Sequence, residues 1–173
     1  MSSTNADLYR GDDKKNKLKM KWVRTPEIIW EQLSKEFDFT VDACASDKNH
    51  LLPRYWTKET DALEQSWDNE IIYCHPMFDI NIPKFVEKGC MADNSVCVFL
   101  LPASTQSVYF HRWFWDDLNH KPQANVEIRF LPKREPSNHL GYKFLSEDNE
   151  EPSMGYIRPL MVVVVDNRMY DYE

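Results

Sequence analysis

A chain of 173 residues suits one domain with a sizeable core, and 42% hydrophobic and 13% aromatic residues fit a soluble globular protein. Its net charge of −7 argues against a protein that grips nucleic acid chiefly through phosphates, because such proteins are usually basic. The apolar runs "VCVFLLPA" and "PLMVVVVD" are far shorter than the ~20 residues of a membrane span, so no membrane protein is expected.

Residues 1–20 are polar and charged, without hydrophobic period. They are expected to form a flexible basic segment ahead of a single domain over 21–173. They hold no apolar core, so no secretory signal is expected. The run "KKNKLKMK", Lys14 to Lys21, is dense in positive charge, and "PKREPSNHLGYK", Pro132 to Lys143, is a second basic region. Either run taken alone is more often a solvated surface. Cys44, Cys74, Cys90 and Cys97 show no CxxC spacing, so an intracellular, cytoplasmic location with reduced thiols is expected and a metal site is not.

In chain order, Thr25 and Pro26 predict a helix cap followed by a first-turn proline, and Ile28, Ile29, Trp30, Leu33 and Phe37 then fall near helical spacing. "FTVDA" predicts a short strand, and "LLPRYWTKETDALEQSW" a mixture of loop and helix. "EIIYCH" predicts a strand, and "INIPKFVEKGCMAD" ends as a helix with Ile82, Phe85 and Val86 on one face. "SVCVFLLP" is the continuous apolar run of a strand buried on both faces. "TQSVYFHRWFWDDL" predicts an aromatic-rich helix, and "NVEIRFL" and "LMVVVVD" two strands that pair antiparallel at one edge. Strands alternating with helices predict an α/β fold with a mostly parallel sheet.

Ligands of such sheets bind beyond the carboxyl ends of the strands. That singles out "VDACAS", "YCHPMF" and "LLPAS". Asp42 precedes the small residues Ala43, Cys44 and Ala45, which let a ligand approach the backbone, although an Asp after a strand is more often a helix cap. Asp61 in "ETDAL" reads by itself as a first-turn acid. In "HPMF", Pro76 removes an amide donor and fixes the turn, and Phe78 can offer a ring face to a flat ligand. His75 can serve as base, acceptor or ligand, or simply cap the turn. Cys74 and His75 are no dyad, since adjacent strand residues point to opposite faces. Neither a GxGxxG pattern nor a P-loop occurs, which disfavours nucleotide-phosphate chemistry of the usual sort.

"W-x-x-TP" at Trp22 to Pro26, "F-x-x-DxxAS" at Phe39 to Ser46 and "TDAL…W" at Thr60 to Trp67 come in order, followed by "IIYCHPMF", "VFLLPAST…FH", "EIRFLPKR" and "LMVVVV". This ordered set, from about Trp22 to Val165, resembles the small phage-type DNA N-6-adenine methyltransferases. The resemblance implies a Rossmann-like methyltransferase fold, an antiparallel edge strand, S-adenosylmethionine (SAM) as donor, and double-stranded DNA as partner. It implies an enzyme that methylates the exocyclic amine of adenine and so masks DNA from restriction, located in the host cytoplasm if phage-encoded.

Residue by residue, the resemblance sets Trp22, Thr25, Pro26, Asp42, Ala43, Cys44 and Asp61 against SAM. It sets His75, Pro76 and Phe78 at the catalytic motif, where the family has Asn-Pro-Pro-Tyr. It turns Lys14, Lys15, Lys17, Lys19, Lys21, Lys133, Arg134 and Lys143 toward DNA. The motif departs at His75 and Met77: a neutral imidazole accepts one hydrogen bond in place of the Asn oxygen, and Met77 does not rigidify the turn. A second reading is therefore an inactive descendant, a binding or decoy module against DNA or a host defence protein. A third is an α/β enzyme acting on RNA or a free base. The sequence leaves the oligomeric state open.

Overall fold

The computed structural model describes residues 24–132 and 159–168. Trp22, the N-terminal basic run, Lys133, Arg134 and Lys143 lie outside the described residues. Helix α1 spans Glu27–Glu36 and buries Ile29 and Leu33. Thr25 does not cap it. Pro26 occupies the cap position, and its carbonyl accepts the amides of Ile29 and Trp30. Proline needs no amide partner there, and the Thr25 hydroxyl is engaged elsewhere.

Strand β1, Val41–Asp42, pairs in parallel with β2, Ile71–Cys74. Between them the expected helix is absent from the described residues. Thr57, Thr60 and Asp61 instead bind local backbone groups: the Thr57 amide donates to Thr60 Oγ1 at 2.7 Å and the Leu63 amide to Asp61 Oδ1 at 3.0 Å. Such local bonds compete with helix formation. Helix α2, Ile82–Met91, crosses over to β3, Val96–Pro102, which is parallel to β2.

After β3 the aromatic-rich segment does not make the predicted long helix. A π-helical turn over Phe110–Phe114 ends where Trp115 becomes extended. Strand β4, Trp115–Asp116, then pairs antiparallel with β5, Lys121–Pro122. The wide turn buries both Phe110 and Phe114, and continuing the helix would forfeit the β4–β5 pairing. Strands β6, Val126–Phe130, and β7, Leu160–Asp166, complete a five-stranded sheet of order β1-β2-β3-β7-β6. Strand β7 lies between β3 and β6 and runs antiparallel to both. This is the α/β architecture expected of a methyltransferase-like fold, with an antiparallel pairing at the β6 edge.

The sheet is covered on both faces. Cys97, Phe99 and Leu101 of β3 join Ile82 and Val86 of α2 in one cluster. Val96, Val98 and Leu100 join Ile29 and Leu33 of α1 in the other. Alternate residues of an unbroken apolar run thus serve opposite faces. Arg129 on β6 ties the edge strand to α1 through a two-pronged ion pair with Glu36, and also binds Glu127 beside it. Among the described residues no helix is long and apolar enough to cross a membrane.

Candidate functional site

Three loops meet at the carboxyl ends of β1 and β2 around a cleft of about 400 Å³. The chain after β1 contributes Ala43, Cys44 and Ala45, and the middle loop contributes Asp61 and Ala62. The chain after β2 contributes His75, Pro76 and Met77, and Lys84 and Phe85 of α2 form another side. Seven residues singled out from the sequence therefore share one cleft: Ala43, Cys44, Ala45, Asp61, His75, Pro76 and Met77. Trp67, which the sequence marked only as part of a motif, acts on it through Ala62, which lines the cleft. Its indole donates to the Ala62 carbonyl at 2.8 Å and pins the Asp61 loop. Asp61 itself adopts a left-handed conformation, φ 47°, which an Asp tolerates better than most residues.

Asp42 does not line this cleft. It is neither exposed nor a helix cap: its carboxylate accepts the amides of Leu51 at 3.0 Å and Cys44 at 3.4 Å, fixing the loop that follows β1. Burial pushes its carboxyl up to about 6, against those two amides. Thr25 and Pro26 also stand outside the lining, although Thr25 reaches the site indirectly. Its Oγ1 lies 3.0 Å from His75 Nδ1 and 2.7 Å from the Tyr73 hydroxyl. Burial pushes His75 down to about 4, so the ring is neutral near pH 7. Cys74 points the other way, its sulfur 3.6 Å from that of Cys44, as the alternation of strand side chains requires.

Phe78 faces a different space. A second cleft, of about 510 Å³, is lined by Phe78, Pro102, Ser104, Tyr109 and Trp113 among others. The end of β3 and the aromatic segment after it build this cleft rather than the first. Asp79 borders both. The stretch His75 to Asp79 is thus a wall between two clefts, with the His75 and Phe78 rings 5.1 Å apart between centroids. Asp79 and Asn81 were not singled out from the sequence. Asp79 accepts the Asn81 amide at 2.8 Å and sets the entry to α2, a turn signalled by Asp-x-Asn ahead of Pro83.

The family model described as DNA N-6-adenine-methyltransferase (Dam) matches residues 12–166. The chain belongs to this family. Within the known members, the DNA N-6-adenine-methyltransferase of Escherichia phage T1 is 26% identical over 106 residues. That match covers 59% of this chain and 44% of the phage T1 protein, so the chain spans less than half the length of this Dam relative.

Proposed function

We propose that the protein transfers a methyl group from SAM to the exocyclic amine of adenine in double-stranded DNA. The observation that carries this reading is the wall: one short motif separates two clefts, so a donor and an acceptor can be held on either side of the same few residues. The first cleft suits SAM by its donor set. Its volume lies in the ordinary range for small ligands. Ala43 and Ala45 keep side chains out of the way of the backbone, and the exposed Asp61 carboxylate can accept from ligand hydroxyls or an amine. Cys44 lies beside these alanines, and Asp42, Thr25 and Pro26 support the cleft from outside its lining. When bound there, SAM supplies an electrophilic methyl group on a sulfonium centre.

The second cleft suits a base that has left the duplex. Phe78, Tyr109 and Trp113 offer ring faces, and stacking a base on an aromatic is worth ~1–3 kcal/mol. On the side of the wall that faces the first cleft, the Pro76 carbonyl could accept an amine hydrogen of a base that reaches across, with the neutral His75 ring beside it. Positive charge grows on the amine during attack, so acceptors held in place favour the transition state. The basic runs around Lys14–Lys21 and Lys133–Lys143 would contact phosphates.

The departures at His75 and Met77 favour a second reading, in which the fold serves as a binding or decoy module. Incubation with labelled SAM and unmodified DNA, followed by nucleoside mass spectrometry, separates the two. N6-methyladenine is expected. No incorporation at high protein concentration would replace the first reading by the second, and methylcytosine would keep the chemistry but change the base.

A further inference from the structure

Cys44 follows strand β1 and Cys74 ends strand β2, and their sulfurs lie 3.6 Å apart. The register pairs Asp42 with Tyr73, so an unbroken strand would set Cys44 against His75. The chain bends at Ala43 and Cys44 instead, and Cys44 packs against the core cluster that holds Cys74. The two thiols differ in access. Cys74 is fully buried, and burial pushes its thiol well up, so it keeps its proton near neutral pH. Cys44 is half-buried and lines the first cleft, so a small solute in that cleft meets Cys44 and not Cys74. A covalent bond between two sulfurs is ~2.05 Å long, so these two must approach by about 1.5 Å. Cys44 borders open space and can supply that movement. Cys97 is buried as well, but its sulfur contacts the Ser95 hydroxyl, at 3.9 Å.

We propose that Cys44 and Cys74 form an oxidative modification site, in which a peroxide that enters the first cleft converts the two thiols to a disulfide. Cys44 reacts first, as its thiolate, because it is the thiol within reach. Its sulfur takes one peroxide oxygen to become a sulfenic acid, and the other oxygen leaves as water. The Cys74 sulfur then attacks the Cys44 sulfur. The bond between the sulfurs forms, the S–O bond breaks, and the departing hydroxide takes the Cys74 proton as a second water. The two thiols lose two electrons and two protons, and the peroxide accepts both. A buried, protonated thiol is a slow nucleophile, but contact between the sulfurs makes the step intramolecular and offsets this. Without Cys74 in contact, the sulfenic acid goes on to sulfinic acid. The disulfide ties the loop after β1 to β2 and draws the Cys44 side chain toward the sheet. The site stands on the two sulfurs alone. Its link to the donor rests on the methyl-transfer reading, in which SAM fills the same cleft and shields Cys44.

Hydrogen peroxide added to the full, folded chain near neutral pH tests this, with remaining thiols alkylated before peptide mass mapping without reductant. A pair of peptides joined through Cys44 and Cys74 is expected, two hydrogens lighter than the sum of its parts, and dithiothreitol should release it. Cys74→Ser should carry Cys44 as sulfinic acid instead. SAM at about ten times its dissociation constant should slow the loss of the Cys44 thiol about tenfold, by mass action. Wild-type Cys44 left as a thiol, or oxidised to sulfinic acid with no bond to Cys74, would overturn the inference even if the variant does not fold. An unchanged rate with SAM bound would overturn the link to the donor and leave the disulfide. The map needs neither DNA nor methyl transfer. An inactive protein therefore leaves the site standing, and an absent disulfide leaves the methyl-transfer reading standing.

Discussion

Asp42 and His75 are buried titratable side chains whose pH responses oppose each other. The folded Asp42 carboxyl holds its proton up to about 6, against an ordinary value of 3.8. Its contribution to stability is therefore full below 3.8 and is lost as pH rises through 6. The folded His75 ring takes a proton only near 4, against an ordinary 6.5. Its contribution is full above 6.5 and is lost as pH falls through 4. Each swing is on the order of 3 kcal/mol, so in the wild type the two offset each other between those limits. Asp42→Asn is expected to expose the His75 response, with stability falling by about 3 kcal/mol on going from about pH 7 to about pH 4 relative to wild type. His75→Asn should show the opposite slope. Urea denaturation across that range reads both, and parallel curves for all three proteins would rule the account out. Asp61 differs from this pair because it is exposed and its acid is not needed by the core. Asp61→Asn keeps a residue that tolerates the left-handed backbone and removes the charge. On the SAM reading, calorimetry should show at least about tenfold weaker binding, the equivalent of one lost charged hydrogen bond, with an unchanged melting temperature. Equal affinity would take Asp61 out of the site.

At the scale of elements, α2 packs tightly on β3 at Gly89. A Cβ on Gly89 would stand 2.5 Å from Phe99 Cζ and 3.2 Å from Cys97 Cβ. The Phe99 ring also packs against Trp67 and Phe114, with centroids 6.5 Å and 6.2 Å away. Gly89→Ala gains ~1 kcal/mol of helix propensity but overpacks at a cost of ~1–3 kcal/mol. A net loss of about 1 kcal/mol is expected from these two effects, and a raised melting temperature would contradict it. The sheet was legible in the sequence because β3 and β7 are short unbroken apolar runs rich in valine, the pattern of strands buried on both faces. The first cleft was legible for a related reason: strand ends followed by small, acidic or proline residues converge in any open α/β sheet. Where the sequence misled, side chains outbid the backbone pattern. Thr57, Thr60 and Asp61 bond locally and replace a helix by turns, and the π-helical turn that buries Phe110 and Phe114 ends at an extended Trp115. The second cleft was legible in part, through "YCHPMF", "LLPAS" and Phe78, whereas its separation from the first and the Tyr73–Thr25–His75 contacts were not, because they depend on side-chain direction rather than on spacing.

At the scale of the whole molecule, the charge distribution sets how DNA would be met. A net charge of −7 repels the duplex, so binding must rest on local positive regions. Lys14, Lys15, Lys17 and Lys19 are four of the five lysines of the denser basic run in the sequence. Each phosphate that a lysine neutralises releases condensed counterion and adds ~0.9 to the slope of log affinity against log salt concentration. If these four lysines meet phosphates, replacing all four by glutamine should flatten that slope by up to about 3.6. It should weaken binding most at low salt, while calorimetric SAM affinity, which this reading assigns to the cleft of Ala43 and Asp61, should stay unchanged. Anisotropy of a labelled duplex titrated over a series of salt concentrations measures the slope directly. Identical slopes for the variant and the wild type would assign the run to solvated surface, and would move the search for the DNA-facing charge to the Lys133–Lys143 region.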